Sequence, residues 1–184
     1  RALAMHDAAE RRASAVFARD KETLLESVTP LPYRAQRMAL EARLLLAASS
    51  WRLAMCKAFA CSRVKEDYAP GWIALGLCYD ANQKLDDAGM AFGRALGLMN
   101  APELMDKPPL WLFCRVSDLC VVAKELDLAK DVAILGCGAY NTRAVSWRAC
   151  ARAFLVRKEF KEAEEALEEA NVLDPTDAPT WGLL

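Results

Sequence analysis

Apolar residues recur three and four positions apart along nearly the whole chain, the spacing that gathers them on one face of an α-helix; no stretch alternates with the period of two that a half-buried strand needs. The pattern predicts helices over residues 2–18, 20–28, 33–48, 51–64, 69–82, 85–98, 109–124, 127–137, 144–157 and 160–172, and no strand. The breaks are chemical. Thr29-Pro30-Leu31-Pro32 closes off the first segment, and Asn100-Ala101-Pro102 with Lys107-Pro108-Pro109 stops one helix and starts the next, because proline lacks the N–H that a helix interior needs. In the last predicted helix Glu162, Glu164, Glu165, Glu168 and Glu169 frame the stripe Ala163, Ala166, Leu167 and Ala170, which reads as a solvated acidic face over a narrow apolar one. Gly136-Cys137-Gly138 follows a helix and no strand, so it reads as a helix stop and not as a nucleotide-binding loop.

The run Trp72-Ile73-Ala74-Leu75-Gly76-Leu77-Cys78-Tyr79, followed by Ala88, Phe92 and Ala95, resembles the tetratricopeptide repeat. Small residues at Gly76 and Ala88 let two antiparallel helices approach, while Trp72, Tyr79 and Phe92 fill the space beside them. The resemblance implies an all-α fold, a right-handed superhelix of antiparallel helix pairs. Used as a ruler, it places equivalents of Trp72 at Met38, Trp111, Trp147 and Trp181. Ala42, Leu45, Ala54, Ala58 and Cys61 then fit a first repeat, and Ala151, Phe154, Ala163, Leu167, Ala170 and Pro175 a fourth. The repeats span about 35–68, 69–102, 108–143 and 144–177, with a fifth opening at 178, while residues 1–32 form a helical cap or a degenerate repeat carrying Leu3, Phe17, Leu24, Leu25 and Val28. Structural roles fall to Trp72, Leu75, Gly76, Tyr79, Ala88, Phe92, Ala95, Trp111, Trp147, Ala163 and Pro175. On this ruler the third repeat holds two extra residues inside it and five before it, which predicts a change of superhelical twist there. It also puts Arg115 at a small-residue position and Asp118 at an aromatic one, three apart on one helix face, where a mutual salt bridge is the expected outcome and a polar seam that docks a partner the alternative.

Composition narrows the function. Of 184 residues, 54% are hydrophobic, enough for one domain with a substantial core, yet no run of about 18 apolar residues offers a membrane span. The seven cysteines and the one histidine, His6, contain no C-x2-C pair, so metal binding and cofactors are not expected; thiols among alanines and leucines act as small hydrophobes and suit a reducing compartment. The net charge of −1 conceals +6 over residues 1–65 and −7 over residues 66–184, a polarity that can orient partners or copies of the chain head to tail. Basic residues interleaved with alanines give no phosphate-binding patch, so nucleic acid is not an expected partner. No Ser/His/Asp or Cys/His arrangement supports catalysis. The chain opens at Arg1 and stops at Trp181-Gly182-Leu183-Leu184, inside a further repeat, and so reads as a piece of a longer protein.

The family resemblance implies that the first helix of each repeat lines a concave groove. The groove residues then follow from the ruler: Ala39, Arg43, Leu46, Ile73, Leu77, Asp80, Leu112, Val116, Leu119, Arg148, Arg152 and Leu155. An apolar surface with three arginines suits a partner segment with apolar anchors and carboxylates, and equally a mate repeat or a flanking part of the same polypeptide that fills the groove. The lysine, arginine and asparagine clamp of chaperone-binding relatives is missing where Ala39, Ile73 and Leu77 stand. The stretch from Glu164 to Asp174, leading to Pro179-Thr180-Trp181-Gly182-Leu183-Leu184, also resembles the C-terminal repeats of cilia- and flagella-associated proteins of the axoneme. That second resemblance implies a cytoplasmic, non-catalytic scaffold of the motile cilium that holds neighbouring axonemal subunits and is compatible with self-association. The alternative is a soluble adaptor that takes a short linear peptide in its groove.

Overall fold

The computed structural model describes residues 31–99 and 107–183; the helices predicted over 2–18 and 20–28 lie outside them. The described residues form α1 (Leu31–Ala47), α2 (Trp51–Val64), α3 (Ala69–Ala81), α4 (Leu85–Met99), α5 (Leu110–Val122), α6 (Leu126–Ala139), α7 (Ala144–Arg157), α8 (Phe160–Leu173) and the short α9 (Ala178–Trp181), with no strand among them. Consecutive helices pack as pairs, α1 with α2, α3 with α4, α5 with α6 and α7 with α8, and each pair stacks on the next. The result is a right-handed α-solenoid of antiparallel pairs, in which each repeat buries its apolar face only by stacking on its neighbours.

Every pair turns in the same way. The first helix ends in a residue with left-handed backbone, Ser49, Gln83, Lys124 or Lys158, at φ 59°, 59°, 63° and 64°. The N–H groups of Ser50, Lys84, Glu125 and Glu159 donate back to the carbonyls of Leu45, Tyr79, Cys120 and Phe154, which satisfies carbonyls that a helix end leaves open. None of the four is glycine, so each holds a conformation that Cβ disfavours by about 1–2 kcal/mol. Lys124→Gly relieves that crowding at some cost in unfolded-state entropy, and is expected to raise stability by about 0.5 kcal/mol, read as a higher urea midpoint at constant m.

These turns fix the register independently of any tryptophan. At the starts of α3, α5, α7 and α9 the N–H groups of Gly71, Leu112, Ser146 and Thr180 donate to the carbonyls of Tyr68, Pro109, Arg143 and Asp177. The residues that follow are Trp72, Phe113, Trp147 and Trp181, and the equivalent of Trp111 on the ruler is therefore Phe113. Phe113 is 2% exposed and set edge-on to Tyr140 at 6.5 Å, whereas Trp111 is 44% exposed. The other three indoles donate to the carbonyl six residues back, Trp72 to Glu66, Trp147 to Asn141 and Trp181 to Pro175. The Phe113 ring has no N–H to give, and the Tyr140 hydroxyl donates to the Pro108 carbonyl in its stead at 2.8 Å.

The expected two-residue insertion inside repeat three is thus corrected. Phe113 precedes Trp147 by the same 34 residues that separate Met38 from Trp72, and all the added length lies between α4 and α5. The small-residue position of repeat three is Ser117, 3% exposed, whose hydroxyl donates to the Ala129 carbonyl at 2.9 Å; the aromatic position is Cys120. Trp111 does not hold the core position assigned to it, and exposed Pro175 contributes only its carbonyl. Leu75, Gly76, Ala88, Phe92, Ala95 and Ala163 are buried as the motif requires, with Trp72, Tyr79 and Trp147 half-buried over them. Cys61, Cys78, Cys137 and Cys150 are buried as free thiols, and burial pushes Cys61 and Cys78 up from their ordinary pKa, which leaves them unreactive packing groups.

Candidate protein-docking groove

The first helices α1, α3, α5 and α7 share the side of the solenoid where the groove is expected. There α1 packs against α3 and α5 against α7, but α3 and α5 barely approach each other. The parting opens a cleft of about 560 Å³ walled by Leu77 and Asp80 of α3, by Trp111, Cys114, Arg115 and Asp118 of α5, and by Val145 of α7. The Trp111 ring meets buried Phe92 edge-on at 5.9 Å, and both residues line the cleft.

Register decides which α5 residues face the groove. Leu112, Val116 and Leu119, placed in the groove by the ruler, are 0%, 4% and 4% exposed and belong to the core between α4, α5 and α6. A two-residue shift turns a helix by about 200°, which exchanges its inner and outer faces. Ala39 is also buried, in the cluster where α1 meets Cys61 of α2. Ile73, Leu77, Asp80, Leu46 and Leu155 are half-buried, and Arg43 is exposed. Trp111, Cys114 and Val145, missing from the expected set, belong to it. The 34-residue interval from Phe113 to Trp147 is the signal that identifies them.

Three groove arginines are paired across repeats. Arg115 forks onto Asp80, with Nε to Oδ2 at 3.0 Å and a second bond to Oδ1. Arg152 reaches Asp118 at 2.9 Å, and Arg148 holds Asp177, which also accepts from the Thr180 hydroxyl. The expected Arg115–Asp118 pair is therefore replaced by a ladder, in which each member binds the neighbouring repeat. Each rung is part-exposed and screened by solvent, so the ladder sets the relative position of repeats more than it stabilises them. The Thr180 hydroxyl and then the Arg148 guanidinium hold the Asp177 carboxyl below its ordinary range. A depressed carboxylate contributes stability above its unfolded pKa and loses it as pH falls through the folded value, so this joint weakens only in acid.

Among the described residues no three His, Cys, Asp or Glu side chains converge as a metal site requires, and no helix is long and apolar enough to cross a membrane. The sequence profile of the cilia and flagella-associated protein 70 C-terminal domain matches residues 8–184. The chain belongs to this family. No curated protein matches it over the sequence. Solved structures share its fold: MamA 41-end from Desulfovibrio magneticus RS-1, at 17% identity and a TM-score of 0.64, covers 77% of this chain and 76% of its own. Cut9, in the Cut9–Hcn1 hetero-tetramer of the APC/C, has 18% identity and a TM-score of 0.67 over 82% of this chain and 29% of that one. A chain of the Naa15/Naa10 complex bound to HypK-THB has 20% identity and a TM-score of 0.58 over 80% of this chain and 21% of its own. At such identities the likeness concerns the solenoid alone. The cilia and flagella-associated family, in contrast, accounts for almost the full length.

Proposed function

We propose that this domain is a non-catalytic interaction scaffold of the motile-cilium axoneme that holds a neighbouring axonemal protein in the cleft between its second and third repeats. The family match over residues 8–184 supports the ciliary setting, and the exposed Trp111 ring beside Leu77 and Val145 supports the docking place. A half-exposed tryptophan in a concave apolar cleft is the kind of anchor that dominates protein interfaces.

The adaptor alternative rests on groove arginines that grip partner carboxylates. Arg148 and Arg152 are already engaged by Asp177 and Asp118, which leaves Arg43 as the exposed cation of the three. A partner would have to break existing pairs to use them, so apolar anchoring in the cleft is the better account. Co-sedimentation with salt-washed motile axonemes separates the two readings. Trp111→Ala is expected to weaken retention about tenfold, and the Arg43/Arg148/Arg152 triple alanine variant to change it little. Retention that ignores Trp111→Ala and is abolished by the triple variant would return the groove to carboxylate recognition.

A further inference from the structure

On the convex side the second helices α2, α4, α6 and α8 are exposed, and their outer residues differ in kind. At two successive outward positions α2 carries Met55 and Phe59, α6 carries Lys130 and Ile134, and α8 carries Glu164 and Glu168; α4 alone carries Gly89 and Gly93. The missing side chains leave a notch of about 440 Å³ between α4, α5 and the start of α6. A Cβ on Gly93 would meet nothing within 4 Å, so the space is open above the helix backbone. Met90, 71% exposed, and Leu128, 47% exposed, form apolar lips, and Val116, Leu119 and Cys120 lie below them. Asp86 and Glu125 stand at the rim, both exposed and neither in an ion pair among the described residues.

The same chain carries a complementary face. Helix α2 contains Arg52, Lys57 and Arg63 and no carboxylate. Arg52, Cys56, Phe59 and Arg63 follow one another along its outer side at helical spacing, all exposed, with Phe59 at 50%. A phenyl ring flanked by arginines is the shape and charge that an apolar notch rimmed by carboxylates accepts.

We propose that the convex face pairs with a second copy of this chain, Phe59 of each copy seated in the Gly89/Gly93 notch of the other, with Arg52 and Arg63 set against Asp86 and Glu125. A two-fold arrangement makes the contact twice and closes the assembly as a dimer, which leaves the concave cleft of both copies open. The pairing is independent of what occupies that cleft.

Sedimentation equilibrium of the whole chain across the micromolar range, at low and high salt, tests the pairing. A concentration-dependent dimer weakened by salt is expected. Asp86→Lys with Glu125→Lys weakens it about tenfold or more, Arg52→Glu with Arg63→Glu does the same, and the four changes together restore it. Gly93→Leu fills the notch and abolishes the dimer, while the melting temperature holds or rises because leucine favours helix over glycine. A chain that stays monomeric throughout, or a dimer indifferent to Gly93→Leu, overturns the proposal. A monomer whose notch binds an unrelated basic amphipathic peptide, blocked by Gly93→Leu, overturns it too and assigns the notch to a different partner.

Discussion

Phe113→Ala is expected to lower the free energy of unfolding by about 3–5 kcal/mol, and Trp111→Ala, two residues away, by only about 1 kcal/mol. The phenyl ring of Phe113 is 2% exposed, inside the cluster that joins α4, α5 and α6. Its neighbours cannot close over a lost ring. A Cβ on Gly136 would already sit 2.8 Å from Phe113 Cβ, so the two helices are at contact there and the backbone has no further inward travel. Trp111 loses mainly the edge contact with Phe92, since nearly half of its surface faces solvent. Urea unfolding followed by far-UV circular dichroism reads both variants without relying on tryptophan emission. The reverse order of costs would restore the tryptophan-based register and the insertion inside repeat three.

That comparison also marks where sequence reasoning succeeds and where it stops. The helices are legible because each carries a continuous apolar stripe, and those over 51–64 and 144–157 coincide with α2 and α7 to the residue. Repeats two and four are legible because Trp72 and Trp147 carry their whole neighbourhood with them, down to the indole bond to the carbonyl six residues earlier. Repeat three misleads because its reference residue is phenylalanine and a tryptophan lies two positions before it. Residue type outweighs spacing on such a ruler, although the turns, which do not depend on the aromatic residue, keep a 34-residue interval from Phe113 to Trp147.

The groove was less legible than the fold for a related reason. Which residues face it depends on rotation about the helix axis, so the register error in α5 exchanges Leu112 and Val116 for Trp111, Cys114 and Arg115. The ion-pair ladder is harder still. Asp80 and Arg115 lie 35 residues apart, and their meeting depends on how far apart α3 and α5 stand in the stacked repeats. Local spacing favours Arg115 with Asp118, and the packing of neighbouring repeats prevails over it.

The second large effect concerns the crossing of α3 and α4. A Cβ on Gly76 would lie 2.5 Å from two ring carbons of Phe92, which is itself fully buried, so Gly76→Ala should cost about 2 kcal/mol even though alanine is the better helix former. Phe92→Leu alone should cost about 1 kcal/mol through the space it leaves. Together they are expected to cost about 1 kcal/mol or less, because the chain already uses that combination: repeat four places Ala151 and Leu167 at the equivalent positions, 0% and 2% exposed in one cluster. Repeat one holds Ala42 with Ala58 there, and repeat three Ser117 with Ala133, all buried, so the pair varies its sizes around one requirement for close helix approach. A favourable coupling of about 2 kcal/mol in the double-mutant cycle is the signature of that shared space. Strict additivity would mean that the Phe92 ring swings aside for the new methyl group, and that the solenoid tolerates slack at this joint.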